Sequence, residues 1–151
     1  IDFMVGPCGS ARWLSQFNFF QLGTFKICCA VPRSHPLASK SILEPEDFLG
    51  ERLMLVKEGD SEVIDRIRSY LLTNYPGVQL IDTPFYYDAE VFNRCEQEGN
   101  LLLSLEEWAD VHPLLNTLPV NWDYRMPYGL IYAGNPPQGV LQFVEAVKEV
   151  V

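Results

Sequence analysis

The stretch Arg52-Leu53-Met54-Leu55-Val56-Lys57-Glu58-Gly59-Asp60-Ser61-Glu62-Val63-Ile64-Asp65-Arg66-Ile67-Arg68-Ser69-Tyr70-Leu71 carries two different periodicities on either side of a glycine. Leu53 to Val56 are continuously apolar, the pattern of a short strand covered on both faces within a parallel sheet. From Ser61 onward, Val63, Ile64, Ile67, Tyr70 and Leu71 recur at helical spacing, with Glu62, Asp65, Arg66, Arg68 and Ser69 between them. Asp60 or Ser61 can cap the first turn, and Asn74-Tyr75-Pro76-Gly77 ends the helix. A buried strand feeding an amphipathic helix through a short loop is half of a βαβ unit, so the fold class turns on whether the unit recurs.

It recurs downstream. Val78 to Ile81 predict another strand. Asp88 opens a helix carrying Ala89, Val91, Phe92 and Cys95, with Gly99 as its left-handed end. Leu101-Leu102-Leu103 predict a further buried strand, and Leu105 to Trp108 a short helix. Upstream, Phe17 to Leu22 and Phe25 to Val31 are rich in aromatic and β-branched residues and predict two strands joined tightly at Gly23. Pro32 and Pro36 interrupt regular structure, and Glu44 to Leu49 predict a helical turn closed by Gly50. Leu118 to Val120 and Tyr128 to Ala133 predict strands, and Val140, Leu141, Val144, Val147 and Val151 form one helical stripe. The alternation implies an α/β fold with parallel pairing and right-handed crossovers. Ile1 to Gly6 reads as a strand already under way, as in a piece cut from a longer chain.

Composition narrows the function. The 151 residues suit one domain or two small lobes, and a formal net charge of -9, from 20 acidic and 11 basic residues, opposes a grip on nucleic acid phosphates. No apolar run approaches the roughly 20 residues of a membrane span, and no basic-then-apolar secretory signal is visible. Of the four cysteines, Cys28 and Cys29 are adjacent, Cys8 and Cys95 are isolated, and no C-x-x-C pair exists. They read as reduced packing residues in a reducing, cytoplasmic compartment. His35 and His112 each precede proline and lack a ligand pair at metal-binding spacing, so no metal and no cofactor are expected.

Val31-Pro32-Arg33-Ser34-His35-Pro36-Leu37-Ala38, followed by Leu43, by Asp47-Phe48-Leu49-Gly50 and by Leu53-Met54-Leu55, resembles the effector-binding domains of LysR-type transcriptional regulators. The resemblance continues through Ile1-Asp2-Phe3, through Glu98-Gly99-Asn100-Leu101-Leu102-Leu103-Ser104 and through Phe143-Val144-Glu145-Ala146-Val147-Lys148, and so covers nearly the whole chain. It implies a fold like type 2 periplasmic binding proteins, with two lobes joined by two crossover strands and the first lobe incomplete. Lobe I would comprise residues 1–27 and 128–151, and lobe II residues 28–127. It further implies a small-molecule effector in the cleft, a homodimer or higher homo-oligomer, and DNA contact only through a helix-turn-helix segment absent from this chain.

Ligands of open α/β sheets lie off the carboxyl ends of strands, against helix N-termini. Lys57-Glu58-Gly59-Asp60-Ser61 occupies such a place, so Glu58, Gly59, Asp60 and Ser61 are candidate effector contacts, with simple helix capping as the plain alternative for Asp60 and Ser61. Glu58 and Asp60 would oppose an anion, and the ligand's charge is left open. Tyr86 and Tyr87, after Phe85, offer aromatic faces with hydrogen-bonding hydroxyls, against a plain role in packing. Gly6, Pro7 and Cys8, before Gly9, match the opposing cleft wall of the resembling family, and Ser104 follows the last buried strand. His35 is assigned to structure.

Catalytic signatures are missing: the chain has no G-x-S-x-G, no phosphate-binding glycine loop, no H-E-x-x-H and no dinucleotide fingerprint, and Glu106-Glu107 diverge on a helix. The leading expectation, which the resemblance implies, is a non-enzymatic effector sensor in transcription. The alternatives are a solute-binding protein of a transport system, or an oligomerisation domain without ligand.

Overall fold

The described course opens with a short strand, β1 (Phe3–Pro7), and then runs sixteen residues in one direction as β2 (Phe17–Pro32). The computed structural model describes residues 3–10, 14–84 and 87–150. The expected break at Gly23 is not there: Gly23 has no positive φ, and the strand passes straight through it. The register against β7 (Arg125–Ala133) slips between Gln21, opposite Gly129, and Gly23, opposite Tyr128, leaving Leu22 as the extra residue of a bulge. What Gly23 supplies is room. A Cβ there would sit 2.8 Å from the Tyr128 ring, and that ring instead lies stacked on Phe25 with centroids 4.2 Å apart.

Partners change along β2. Phe17 to Lys26 pair with β7, whereas Ile27 to Ala30 pair with β5 (Leu101–Leu105), and Cys29 to Pro32 with β6 (Leu115–Leu118). Burial changes at the same place, from half-exposed up to Phe25 to fully buried from Ile27 onward. β1 lies on the outer side of β7, and β3 (Arg52–Val56) and β4 (Gln79–Thr83) extend the sheet beyond β5, giving the order β1-β7-β2-β5-β3-β4.

Among the described strands, parallel pairing is confined to β3 with β4 and β3 with β5, and every other strand pair is antiparallel. The reason is geometric. β2 carries the chain toward the β3–β5 group and β7 carries it back, so two strands side by side must run in opposite senses. The parallel strands are connected by α1 (Glu62–Asn74) and α2 (Ala89–Glu98). Ser61 Oγ caps α1 by accepting from Ile64 N–H, Asp88 caps α2 by accepting from Val91 N–H, and Gly99 ends α2 at φ 68°. The expected strand at Leu118–Val120 is shifted: β6 ends at Leu118, because Pro119 has no N–H for a ladder, and Val120 makes only an isolated bridge to Leu43.

The two-residue alternation of β3 and β5 divides the core. Leu53, Leu55, Leu101 and Leu103 face one side with Ile67, Leu71, Leu43 and Phe48, under α1. Met54 and Leu102 face the other with Val91, Phe92 and Cys95, under α2. This double coverage is why the two strands read as unbroken apolar runs. A separate cluster packs α3 (Gln138–Val150) onto β7 through Val140, Val144 and Leu130. Leu141, expected on the same stripe, is exposed, and Val151 lies outside the described residues. His35 has the structural role expected of it. Its Nδ1 accepts from Leu37 N–H, leaving Nε2–H to donate to Glu51 at 2.9 Å. Among the described residues no helix is long and apolar enough to cross a membrane.

Candidate functional site

A cavity of about 580 Å³ opens where the two strand groups meet. One side is the segment Pro7 to Ser10 after β1, with Met126 of β7 and Ile27 at the point where β2 changes partners. The other is built from the carboxyl ends of β3 (Val56) and β5 (Leu103 to Leu105), the start of α1 (Asp60, Ser61, Ile64), and the rings of Tyr87 and Trp108. A cavity of this size and mostly apolar lining suits a small organic molecule.

The sides touch at one edge. Cys8 N–H donates to Pro127 O at 2.9 Å, which holds the segment against β7. Ser10 Oγ then donates to Asp60 Oδ1 at 2.7 Å, and Ser10 bridges Ser61 through the backbone. Gly9 permits this approach, since a Cβ would run into the Met126 sulfur and come within 3.2 Å of Ser61 Oγ. Asp60 is only 4% exposed, and a carboxylate so enclosed needs donors; Ser10 provides one.

Three other groups face the space with distinct chemistry. Ser104 is 3% exposed, and its Oγ has no hydrogen-bond partner among the described residues, an arrangement that costs roughly 1–3 kcal/mol if left unmet. Tyr87 does not offer the hydroxyl expected of it: the O–H donates to Leu103 O at 2.9 Å, and burial above all pushes its titration well up. Its ring packs with Trp108 and Phe92, centroids 5.7 and 5.8 Å away, so Tyr87 presents an aromatic surface. Burial also raises the Cys8 thiol above its ordinary range, with the negative charge of Asp60 adding to the effect and a backbone hydrogen bond from Ser10 opposing it. The raised pKa keeps Cys8 in the thiol form, which is a poor nucleophile.

Of the residues singled out in the sequence, Pro7, Cys8, Asp60, Ser61, Tyr87 and Ser104 come together around this cavity, although they derive from four separate segments. Gly6, Glu58 and Gly59 do not line it. Gly6 is paired within β1, and Gly59, at φ 102°, turns its N–H to the Asp65 carboxylate on the far side of the α1 start. Tyr86, like Phe85, lies outside the described residues. Ser10, Ile27, Trp108 and Met126 were not anticipated. Trp108 follows Ser104 by four positions and Ser10 follows Cys8 by two, but Ile27 and Met126 carry no local signal, since each looks like an ordinary strand residue.

Two groups of strands sharing long antiparallel crossovers, with a ligand-sized cavity at the carboxyl ends of the parallel strands, define a two-lobed, periplasmic-binding-protein-like fold. Solved structures give that class a closer counterpart. The chain is similar to the CcmR regulatory domain of Synechocystis in complex with 2-PG, at 12% identity and TM-score 0.65, over 99% of this chain and 73% of that one. It is similar to the oxidized form of OxyR at 18% identity and TM-score 0.66, over 99% of this chain and 71% of that one. It is also similar to the BenM effector-binding domain with its effector benzoate, at 14% identity and TM-score 0.63, over 100% of this chain and 72% of that one. Against CbnR, a LysR family transcriptional regulator, the chain covers 52% of the length at TM-score 0.67. The fold is thus that of the effector-binding domains of LysR-type regulators. No family model and no curated protein matches the chain.

Proposed function

We propose that this chain is the effector-binding domain of a LysR-type transcriptional regulator, in which a small molecule held in the cavity changes how the lobes sit and thereby reports its own presence. The observation that carries this reading is the cavity itself: a largely apolar space with buried Asp60 and Ser104, bridged at one edge by the Ser10–Asp60 hydrogen bond and the backbone bridge from Ser10 to Ser61. A small bridge of that kind, made by one residue of the segment after β1, is a contact a ligand can strengthen or displace, which is what a population shift between two arrangements requires. In this reading lobe I comprises residues 1–27 and 128–151, and lobe II residues 28–127. The exchange of β2 partners between Lys26 and Ile27 supports that division.

The regulator works as a homodimer or higher homo-oligomer in the cytoplasm, and a helix-turn-helix segment outside this chain reads DNA. Four buried free cysteines fit a reducing compartment better than an exported solute-binding protein, and the structural neighbours are regulators, which also disfavours the transport alternative. Thermal-shift screening against a metabolite panel tests the proposal. A ligand at 100 times its Kd adds about 2.7 kcal/mol of stability. Saturable stabilisation that disappears in Ser104→Leu, whose larger apolar side chain intrudes on the cavity and removes the Ser104 hydroxyl, is expected. Stabilisation surviving that substitution places binding elsewhere and refutes the proposal.

A further inference from the structure

Resting on the reading of the cavity as an effector site, we propose that its ligand presents a positively charged hydrogen-bond donor, such as an amine on an apolar or aromatic body, and not a carboxylate or phosphate. An α/β cleft ordinarily seats anions on the free N–H groups of a helix start. Here the helix start is made negative by the chain itself: Ser61 Oγ already accepts from Ile64 N–H, Glu62 and Asp65 place two carboxylates in the first turn, and the enclosed Asp60 stands just before it. Among the described residues lining the cavity there is no lysine, arginine or histidine to receive an anion.

Acceptors, by contrast, are waiting. Asp60 is 4% exposed with one oxygen held by Ser10, which leaves the other oxygen for a guest. An enclosed carboxylate is stabilised most by a cation that also donates to it. Ser104 Oγ, equally enclosed and without a partner among the described residues, supplies a second acceptor from β5. Trp108, Leu103 and Ile64 provide surface for an apolar body, and an indole ring adds to the attraction for a cation. The formal net charge of -9 favours approach of a cation and disfavours that of an anion.

Matched probes test this: benzylamine and phenethylamine against benzoate and phenylacetate, titrated at millimolar concentration by ligand-observed NMR on the wild-type chain, on Asp60→Asn and on Ser104→Leu. Asp60→Asn keeps an acceptor for Ser10, and circular dichroism confirms the fold of each variant. The expected result is amine binding that exceeds carboxylate binding, weakens roughly 10- to 100-fold in Asp60→Asn, and is lost in Ser104→Leu. Carboxylates binding as well as amines, or amine affinity unchanged in Asp60→Asn, would overturn the assignment of charge. If Ser104→Leu still abolished binding in that case, the cavity would stand as the site. Absence of binding by either class, or binding indifferent to Ser104→Leu, would overturn both the charge assignment and the proposed site.

Discussion

Gly129→Ala is the substitution by which the crossover geometry can be tested most severely. Gly129 sits in β7 opposite Gln21, at the position where β2 bulges. A Cβ there would come within 2.9 Å of Gln21 Cα and of the Phe20 carbonyl carbon, and closer still to Phe20 O. All three are backbone atoms of the paired strand, so no side-chain rotation relieves the collision; β2 and β7 must separate. Forcing a methyl into a packed site costs about 1–3 kcal/mol, and parting the strands forfeits one or two ladder hydrogen bonds at roughly 1 kcal/mol each. A loss of about 3 kcal/mol follows, which at roughly 2–4 °C per kcal/mol lowers the melting temperature by about 6–12 °C. Thermal denaturation followed by circular dichroism measures it, with Gly23→Ala as the comparison. There the new Cβ meets only the Tyr128 ring, 2.8 Å away, which can swing aside at a smaller cost. A Gly129→Ala protein melting within 2 °C of wild type, or one more stable than Gly23→Ala, would refute the bulged pairing of the two crossover strands.

Three further outcomes follow from the structure. Phe48 is fully buried beside Trp122, and Phe48→Ala should cost about 3–5 kcal/mol in urea denaturation; a loss below about 1 kcal/mol would remove it from the core. Burial raises Cys28 to about 11 and Cys95 to about 12, whereas unfolded thiols titrate near 8.5. Above about pH 9 the unfolded chain therefore sheds protons that the folded chain keeps, so stability is fully present below that pH and falls as pH rises toward 11. The urea midpoint should drop between pH 8 and about 10.5 and drop less in Cys28→Ala/Cys95→Ala; equal slopes in both proteins would discount the two thiols. Finally, with a formal net charge of -9, the chain should not shift duplex DNA in a gel at physiological salt, and a shifted band would contradict the assignment of DNA contact to a segment outside it.

The elements written most legibly in the chain are those whose signals are local. The apolar run of β3, the stripe of α1 behind its Ser61 cap and the Asp88 and Gly99 ends of α2 each depend on residues a turn or two apart, and each forms where it was expected. The order of motifs from Val31 to Lys148 was enough to point to the fold. Gly23 shows where local reading stops. Beside Leu22 it looks like a turn, but its role is set by Tyr128, more than a hundred residues later, whose ring occupies the space a side chain would take.

The parallel pairing of β3 with β4 and β5 was legible in their apolar runs and the helices between them, whereas the antiparallel pairing of the crossover strands and their neighbours was beyond local patterns. The site divides in the same way. The strand-to-helix loop and Ser104 were readable as places where a ligand could sit. The turning of Gly59 toward Asp65, the commitment of the Tyr87 hydroxyl to Leu103 O and the arrival of Met126 and Ile27 at the cavity were not. From its residues alone this protein's helices, buried strands and caps could be inferred, since hydrogen bonding and burial within one element act over a few positions. Which side chains share the cavity was decided only when two crossover strands brought distant segments within a few ångströms, a relation that no short-range pattern encodes.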